Sequence, residues 1–269
     1  MTNLLEKHLN KVEPEQKKNF MREYFQTLIL KLIYGSKFNQ TVSFMGGTCL
    51  RICYDLARFS EDLDFNLTSK KFKFSEMLDY LETELTQLGF KVDIKGKDEK
   101  VVYKGFIRIS DVLDKYKIFP HKNEKLSIKL EIDSQPPQNY NNETNIIAKY
   151  GYNFVIKNAD LPSLMAGKIN ACFNRGYYKG RDFYDLVWYL NHKITPNFKL
   201  LREFNFAIND QATLVDYLQG EIKKIDIAVI VKDVYPFLEN EEEIEIIENL
   251  SDLFPQVARK YLLQTSPGK

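Results

Sequence analysis

The spacing of hydrophobic residues in the first part of the chain predicts a helix, a short strand and a second helix. Over residues 14–34 apolar side chains recur every three or four positions, which predicts an amphipathic helix that ends at Gly35. The β-prone run 41–45 ends at Gly46-Gly47, and residues 48–55 again have helical character. We therefore predict the order strand, glycine turn, helix.

Further along the chain, strict alternation of polar and apolar residues predicts strands. Residues 62–67 alternate in this way, as expected of a strand with one buried face. A helix is expected from an N-cap at Ser75 to a stop at Gly89. Three more strands are predicted, at 90–94, 101–109 and 125–133.

The character of the chain changes after its middle. Gln135-Pro136-Pro137 and the asparagine-rich stretch 139–145 predict a loop, which makes the neighbourhood of residues 134–158 a candidate boundary between two lobes. Beyond it the pattern is mainly helical, with Asp160 as the cap of one helix and another helix from Asp182. The sequence thus predicts an α+β protein with two lobes, residues 1–155 and residues 156–269.

Composition narrows the classes of function. Lys and Arg number 38 and Asp and Glu 37, so a nucleic-acid partner would have to be held by local basic patches. The first residues lack the apolar core of a signal peptide, and no run reaches the roughly 18 apolar residues of a membrane span. The 3 cysteines form no CxxC pair, which argues against a disulfide framework or a zinc site. We therefore expect a cytoplasmic protein that does not enter the membrane.

Two carboxylates, Asp62 and Asp64, leave the predicted strand on the same face, with Cα atoms roughly 6 to 7 Å apart. Two such anions repel each other unless a cation lies between them, and one or two carboxylates plus substrate phosphates suit Mg²⁺. Paired ions in such a site stabilise the attacking and leaving oxygens of a phosphoryl displacement. An ordinary exposed strand face has the same pattern, so the assignment depends on neighbouring motifs.

The first neighbouring motif is the glycine turn before these carboxylates. Gly46 and Gly47 would let the backbone approach an anion closely at the start of a helix, where free N–H groups attract phosphate. Thr48 adds a hydroxyl donor, and Arg51, one helical turn later, could clamp a phosphate. The alternative is a plain turn and helix cap, and the segment is not a Walker loop because no Gly-Lys-Thr/Ser occurs.

The second motif is a candidate third carboxylate on the strand predicted at 125–133. We choose Glu131, with Asp133 as the alternative because the two residues share one face. A third carboxylate on a neighbouring strand would complete a metal site with Asp62 and Asp64. The competing interpretation is again a solvated strand face.

The third motif lies in the predicted helical lobe. Lys168 stands among apolar residues, so we expect its stem to pack and its ammonium to reach a specific anion. Tyr177 and Tyr178, in the loop that follows, could stack on a base, and packing of these rings in the core or on the surface is the alternative. The alternative is a helical hairpin in which Asp182 caps a helix and pairs with Arg181. The same loop carries three candidate residues for binding an acceptor: Arg175, Lys179 and Arg181.

Taken in order, these motifs resemble the AbiEii/AbiGii-type nucleotidyltransferase toxins, a group that includes the MenT toxins of type IV toxin–antitoxin systems. The resemblance runs from about residue 40 to residue 190. Families of this kind often carry a serine beside the second glycine, and Thr48 keeps the hydroxyl. The segments that carry the resemblance are 44–51 (FMGGTCLR), 58–65 (RFSEDLDF), 129–133 (KLEID), Lys168 and 181–186 (RDFYDL).

The resemblance implies a DNA polymerase β-like nucleotidyltransferase fold with a mixed sheet in lobe 1–155. It implies that lobe 156–269 is helical and completes the active-site cleft, with NTP and Mg²⁺ (or Mn²⁺) as ligands. Gly47 and Thr48 would then hold phosphate. The residues expected to be catalytic are Asp62, Asp64, Lys168 and Asp182.

The resemblance also implies a biological role. A toxin of a toxin–antitoxin or phage-defence (abortive infection) system would move a nucleoside monophosphate from an NTP to RNA, plausibly a tRNA 3′ end. A cognate antitoxin would be encoded nearby. The alternatives are the same chemistry on a small molecule or protein side chain, nuclease chemistry at the same carboxylates, and a catalytically silent nucleotide-binding module.

Overall fold

A computed structural model describes residues 2–99, 101–118 and 124–263. The strands are β1 (Val42–Met45), β2 (Asp62–Leu67), β3 (Val92–Asp98), β4 (Val102–Ile109), β5 (Leu126–Asp133), β6 (Asn142–Lys149) and β7 (Tyr152–Ala159). The helices are α1 (Thr2–Leu9), α2 (Lys17–Tyr34), α3 (Gly46–Tyr54), α4 (Phe74–Gln87), α5 (Val112–Lys115), α6 (Leu161–Phe173), α7 (Gly180–Asn191), α8 (Phe198–Glu203), α9 (Gln211–Ile222), α10 (Ile227–Val234), α11 (Ile244–Glu248) and α12 (Leu250–Leu263). Short 3₁₀ helices lie at Pro14–Gln16, Tyr235–Phe237 and Glu241–Glu243.

The strands form one mixed sheet in the order β3-β4-β5-β2-β1-β7-β6. The central strand β2 pairs antiparallel with β1 and parallel with β5, and β1 also pairs parallel with β7. The pairs β3/β4 and β4/β5 are antiparallel. The strand that carries Asp62 and Asp64 therefore lies in the middle of the sheet, and its parallel neighbour carries Glu131. The α+β class is confirmed.

The chain divides into two compact units, each built from several segments. Unit 1 comprises Met1–Asp55, Phe59–Pro136 and Asn142–Asn158, and contains the sheet with helices α1 to α5. Unit 2 comprises Leu56–Arg58, Pro137–Asn141 and Ala159–Lys269, and its helices are α6 to α12. The predicted boundary between residues 155 and 156 falls inside β7.

Helix α2 differs from the amphipathic helix that the sequence predicts. Of its 18 residues, 13 are buried, including Arg22, Glu23 and Gln26. A helix that is buried on nearly every side belongs to the interior of a domain. Its polar side chains are used for internal bonds: Gln26 Nε2 donates to the carbonyls of Ser60 (3.1 Å) and Glu61 (2.9 Å).

Two local predictions are wrong. Ser75 is not the N-cap of α4, because the helix already begins at Phe74 and its cap position, Lys73, makes no side-chain hydrogen bond. The loop expected over 135–145 ends earlier, because strand β6 already begins at Asn142, and neither β6 nor β7 was predicted. The strand β6 lies at the edge of the sheet and is largely exposed, so its residues do not alternate between buried apolar and exposed polar side chains.

The helices of unit 2 begin with recognisable signals. Asp160 caps α6, as predicted, and its carboxylate accepts a hydrogen bond from Ser163 N at 2.9 Å. Helix α7 begins at Gly180, before the predicted Asp182. A Cβ at Gly180 would lie 1.8 Å from Ile230 O, so a glycine is required where α7 approaches α10. Across the described part of the chain, no helix is both long and apolar enough to cross a membrane.

Candidate active site

The two aspartates of β2 leave one face of the central strand, as their spacing predicts. Leu63 and Phe65, which alternate with them, are buried with exposures of 0% and 1%. Asp62 and Asp64 are only partly buried. The apolar side chains therefore fix the strand in the core, while both carboxylates leave the opposite face.

Gly46 brings the start of α3 against one of these carboxylates. Its φ is +80°, and a Cβ at this position would lie 2.3 Å from Asp64 Oδ2. Only a residue without a side chain fits both the backbone conformation and the space. Gly47, the next residue, lies in the first turn of α3, where backbone N–H groups lack partners within the helix.

Side chains from two helices fix the start of β2. The Thr48 hydroxyl donates to the Asp62 carbonyl, and Thr48 is fully buried. Gln26 from α2 binds the carbonyls of Ser60 and Glu61. The carbonyls of residues 60, 61 and 62 thus all accept hydrogen bonds from side chains, and this holds the backbone that carries Asp62.

Arg51 lies in a buried ion cluster. Its Nε donates to Glu23 Oε2 at 2.6 Å, and its guanidinium lies 4.8 Å from the centre of the Phe59 ring. Glu23 also contacts Lys149 Nζ at 2.8 Å and accepts from the Tyr150 hydroxyl. Burial raises the pKa of Glu23, but Lys149 and Arg51 outweigh this and hold it below its usual value. The geometry therefore gives Arg51 a role in joining α3 to α2, and nothing in it supports the expected phosphate clamp.

Glu131 lies beside the paired aspartates but is held by a lysine. Across β2 and β5, Asp64 is in register with Glu131 and Asp62 with Lys129. Lys129 Nζ lies 2.8 Å from Glu131 Oε2. Burial lowers the pKa of Lys129, but the hydrogen bond and charge of Glu131, with the charges of Asp62 and Asp64, raise it above its usual value.

The predicted three-carboxylate metal site is not assembled in the structure. Among the described residues, no group of three or more His, Cys, Asp or Glu side chains is arranged to hold a metal ion. The physical reason is the ion pair of Glu131 with Lys129. Asp133, the alternative, is in register with Asn66, and its Oδ1 accepts from Gln135 N at 2.9 Å.

The paired aspartates still fit a hard divalent cation. Mg²⁺ is commonly bound by one or two carboxylates, with water and substrate phosphate as the remaining ligands. Asp62 and Asp64 supply this donor set on one partly exposed face, and Gly46 brings a helix N-terminus, which favours anionic phosphate, next to it.

Unit 2 contains a second charged group, centred on Lys168. Its Nζ lies 2.7 Å from Asp182 Oδ1 and 2.7 Å from Asp185 Oδ2. Asp185 is fully buried and also accepts two hydrogen bonds of 2.6 Å from the guanidinium of Arg58. Burial lowers the pKa of Lys168, but the two aspartates outweigh this and raise it well above its usual value. Lys168 is thus a partly buried, charged ammonium held between two carboxylates.

Asp182 is shared between two cations. Besides Lys168 it accepts from Arg175 Nη1 at 3.0 Å. Burial raises its pKa, but Lys168 and Arg175 outweigh this, so the pKa is below its usual value and the carboxylate is ionised at neutral pH. Arg181 contacts a different aspartate: its Nε lies 3.8 Å from Asp233 Oδ2, and its backbone N donates to the same oxygen at 3.3 Å.

The loop before α7 carries an exposed aromatic ring between cations. Tyr177 is 59% exposed, and its ring centre lies 5.5 Å from the Arg175 guanidinium and 5.8 Å from Lys179 Nζ. Tyr178 instead packs edge-on against Phe183 at 5.7 Å. Tyr178 is 37% exposed, so Tyr177 is the ring of the pair that offers the larger surface to a ligand.

Several important side chains received no role in the sequence analysis. The i, i+3 spacing of Asp182 and Asp185 on one helix is visible in the sequence, but the partners that make Asp185 important are not. Arg58 lies in the motif before the aspartates, but its partner is 127 residues away. Two further residues of this kind are Lys129, which shares the strand face of Glu131, and Glu23, which is buried on α2.

Comparison with known proteins places the chain in a family. Two crystal structures from Helicobacter pylori share the fold, both with a TM-score of 0.60: JHP933, 20% identical, and a candidate nucleotidyltransferase, 21% identical. The alignments cover 92% of this chain in both cases and 94% and 98% of the other chains. No curated protein sequence matches.

The fold is therefore shared with two solved proteins, one of which is described as a candidate nucleotidyltransferase, and the family model is more specific. The model described as nucleotidyl transferase AbiEii toxin, type IV TA system, matches residues 29–260. The chain belongs to this family of nucleotidyltransferase toxins. Membership implies an enzyme with a nucleotide substrate and an antitoxin as partner.

Proposed function

We propose that the protein transfers a nucleoside monophosphate from an NTP to RNA, depends on a divalent cation, and acts as the toxin of a toxin–antitoxin pair. The observation that carries this proposal is the face formed by Asp62, Asp64 and Gly46. It combines two carboxylates on the central strand with a helix N-terminus close beside them. Such a face suits a metal-bound triphosphate.

Each residue of this face has a physical task. Asp62 and Asp64 would hold Mg²⁺ or Mn²⁺, which when bound neutralises phosphate charge and polarises the phosphorus–oxygen bonds. Gly47 and the first turn of α3 would donate backbone N–H groups to phosphate oxygens. Thr48 and Gln26 hold the β2 backbone, so the carboxylates are fixed before substrate arrives.

The charged group of unit 2 includes Lys168, Asp182 and Asp185, which lie in the later segments of the family resemblance. Lys168 carries a point charge suited to the triphosphate, and Asp182 and Asp185 keep it protonated. Asp182 would orient an acceptor hydroxyl or align Lys168, with which it is paired. We propose Lys168 and Asp182 as functional residues on this ground.

RNA as the acceptor is favoured by the surface around Tyr177. Bases of single strands stack on exposed aromatic rings, and nearby Lys or Arg side chains bind the phosphates. Tyr177, Arg175 and Lys179 provide this combination. An unpaired RNA end, such as a tRNA 3′ end, has the required shape, whereas a small-molecule or protein acceptor gives this surface no role. Arg181 is engaged with Asp233 and contributes less.

The decisive experiment offers the pure protein each α-³²P-labelled NTP with total RNA, total protein or a metabolite extract, in Mg²⁺ and in EDTA. We expect label on RNA only with Mg²⁺ or Mn²⁺. Asp62→Asn should lose the transfer, and the control Asp93→Asn, an aspartate on β3, should keep it. Label on protein or metabolites would refute the RNA acceptor, and transfer undiminished in EDTA would refute the metal.

The toxin role is tested separately in cells. Expression of the chain without an antitoxin should slow bacterial growth, and Asp62→Asn, made to the same soluble level, should not. Growth arrest by both proteins would show that toxicity does not come from nucleotide transfer.

A further inference from the structure

Lys129 occupies an unusual place on the proposed metal-binding face. It is in register with Asp62, and Glu131, two residues later on the same strand, is in register with Asp64. The four side chains therefore leave the same face of two adjacent strands. A lysine stands among the three carboxylates that the sequence predicts as metal ligands.

The contacts show which carboxylate this lysine engages. Its Nζ lies 2.8 Å from Glu131 Oε2, with side-chain exposures of 31% for Lys129 and 24% for Glu131. The oxygen that accepts from the ammonium at this distance is less available to a metal ion unless the ion pair breaks, and the positive charge beside it weakens the attraction of the whole carboxylate for a cation. An ammonium near Asp62 and Asp64 also repels any cation that approaches them.

We propose that Lys129 is the built-in counter-ion of this face: it holds Glu131 and competes with a divalent cation for the three carboxylates. The consequence concerns the order of binding. Asp62 and Asp64 alone bind a free ion weakly, so the cation is held firmly only when triphosphate oxygens complete its ligand set. This inference rests on the metal site of the proposed function and adds a residue that controls its affinity.

The neighbouring strand β4 offers a matched control. Lys104 is in register with Glu131 from the other side, but its Nζ pairs with Glu99 at 2.9 Å. Lys104→Met removes the same charge from the same face without releasing Glu131. Lys129→Met removes the charge and frees the carboxylate, and Lys129→Arg keeps the charge.

The test is calorimetric titration of each protein with Mn²⁺ alone, after circular dichroism has confirmed folding. From the Coulomb interaction of one unit charge near a divalent ion at the protein surface, Lys129→Met should bind Mn²⁺ roughly three- to thirty-fold more tightly than wild type. Lys129→Arg should bind like wild type, and Lys104→Met should differ from wild type by less than about two-fold. Addition of Mn²⁺ to the metal-free proteins should also raise the melting temperature of Lys129→Met by more than that of wild type.

Two results would overturn the proposal. If Lys129→Met binds Mn²⁺ no more tightly than wild type, Lys129 does not compete with the cation. If Lys104→Met matches it, the gain reflects net charge and not the release of Glu131. The double variant Lys129→Met/Asp62→Asn distinguishes a failure of this inference from a failure of the proposed metal site. If the double variant still binds Mn²⁺ tightly, the ion binds elsewhere and the proposed metal site is refuted.

Discussion

Replacing Gly46 with alanine tests whether the orientation of Asp64 matters. At φ +80° an alanine adopts a left-handed conformation that costs about 1–2 kcal/mol. Its Cβ would lie 2.3 Å from Asp64 Oδ2 and 3.1 Å from both Cβ and Cγ of the same side chain, whereas approaches under 3.0 Å essentially do not occur. The oxygen must therefore move by at least 0.7 Å (3.0 minus 2.3).

The expected loss is larger in function than in stability. The carboxylate can rotate away, so the clash adds only about 1 kcal/mol to the cost of the backbone conformation. A reacting group displaced by about 1 Å can lose roughly 100-fold in rate. We therefore expect Gly46→Ala to lose about 2–3 kcal/mol of unfolding free energy and at least roughly 100-fold in nucleotide transfer.

Gly89 provides the matched control. Its φ is +86°, and a Cβ there would meet no atom within 4 Å. Gly89→Ala thus carries the backbone cost alone and should lose about 1–2 kcal/mol without losing transfer activity. Urea denaturation measures the unfolding free energy of both variants, and the labelled-NTP assay measures transfer. If Gly46→Ala transfers nucleotide as well as Gly89→Ala, the position of the Asp64 carboxylate is not important for the reaction.

Two further predictions concern unit 2. Tyr177→Ala should weaken the binding of a short single-stranded RNA by about 1–3 kcal/mol, measured by fluorescence anisotropy. Tyr235 is also exposed, and Tyr235→Ala should leave RNA binding unchanged. Equal losses of affinity in the two variants would count against base stacking at Tyr177. Asp185→Asn should lower the unfolding free energy by about 3–5 kcal/mol, because it leaves the buried Arg58 without its carboxylate. Asp233 belongs to a more exposed ion pair, so Asp233→Asn should lower the unfolding free energy by at most about 1 kcal/mol. Similar losses for both variants in urea denaturation would refute this account.

The features that the sequence predicts correctly depend on local patterns. The alternation over 62–67 places Asp62 and Asp64 on one face, and two glycines between a strand and a helix mark the turn at Gly46. These patterns need only the period of a strand and the conformational freedom of glycine. For the same reason, the motifs in their order were enough to indicate the family that the whole-chain comparison shows.

The features that the sequence does not predict depend on distant partners or on a choice between neighbours. Helical spacing places Arg51 one turn after Thr48, but its partner Glu23 lies 28 residues earlier, on α2. Glu131 was correctly placed beside β2, yet spacing alone cannot show that it pairs with Lys129. Such pairs depend on side-chain conformations in the folded protein, which a one-dimensional pattern does not contain.

Helix α2 is attached through buried polar side chains to both elements that carry the candidate active site. Gln26 binds the backbone just before Asp62, and Glu23 binds Arg51 on α3, the helix that begins at Gly46. Both elements that carry the site are therefore attached to one helix, through polar groups that would be costly to bury without partners. Glu23 and Gln26 are three residues apart and lie on one face of α2, so a single face of this helix makes both attachments. These bonds thus hold the glycine turn and the strand of the aspartates against the same helix.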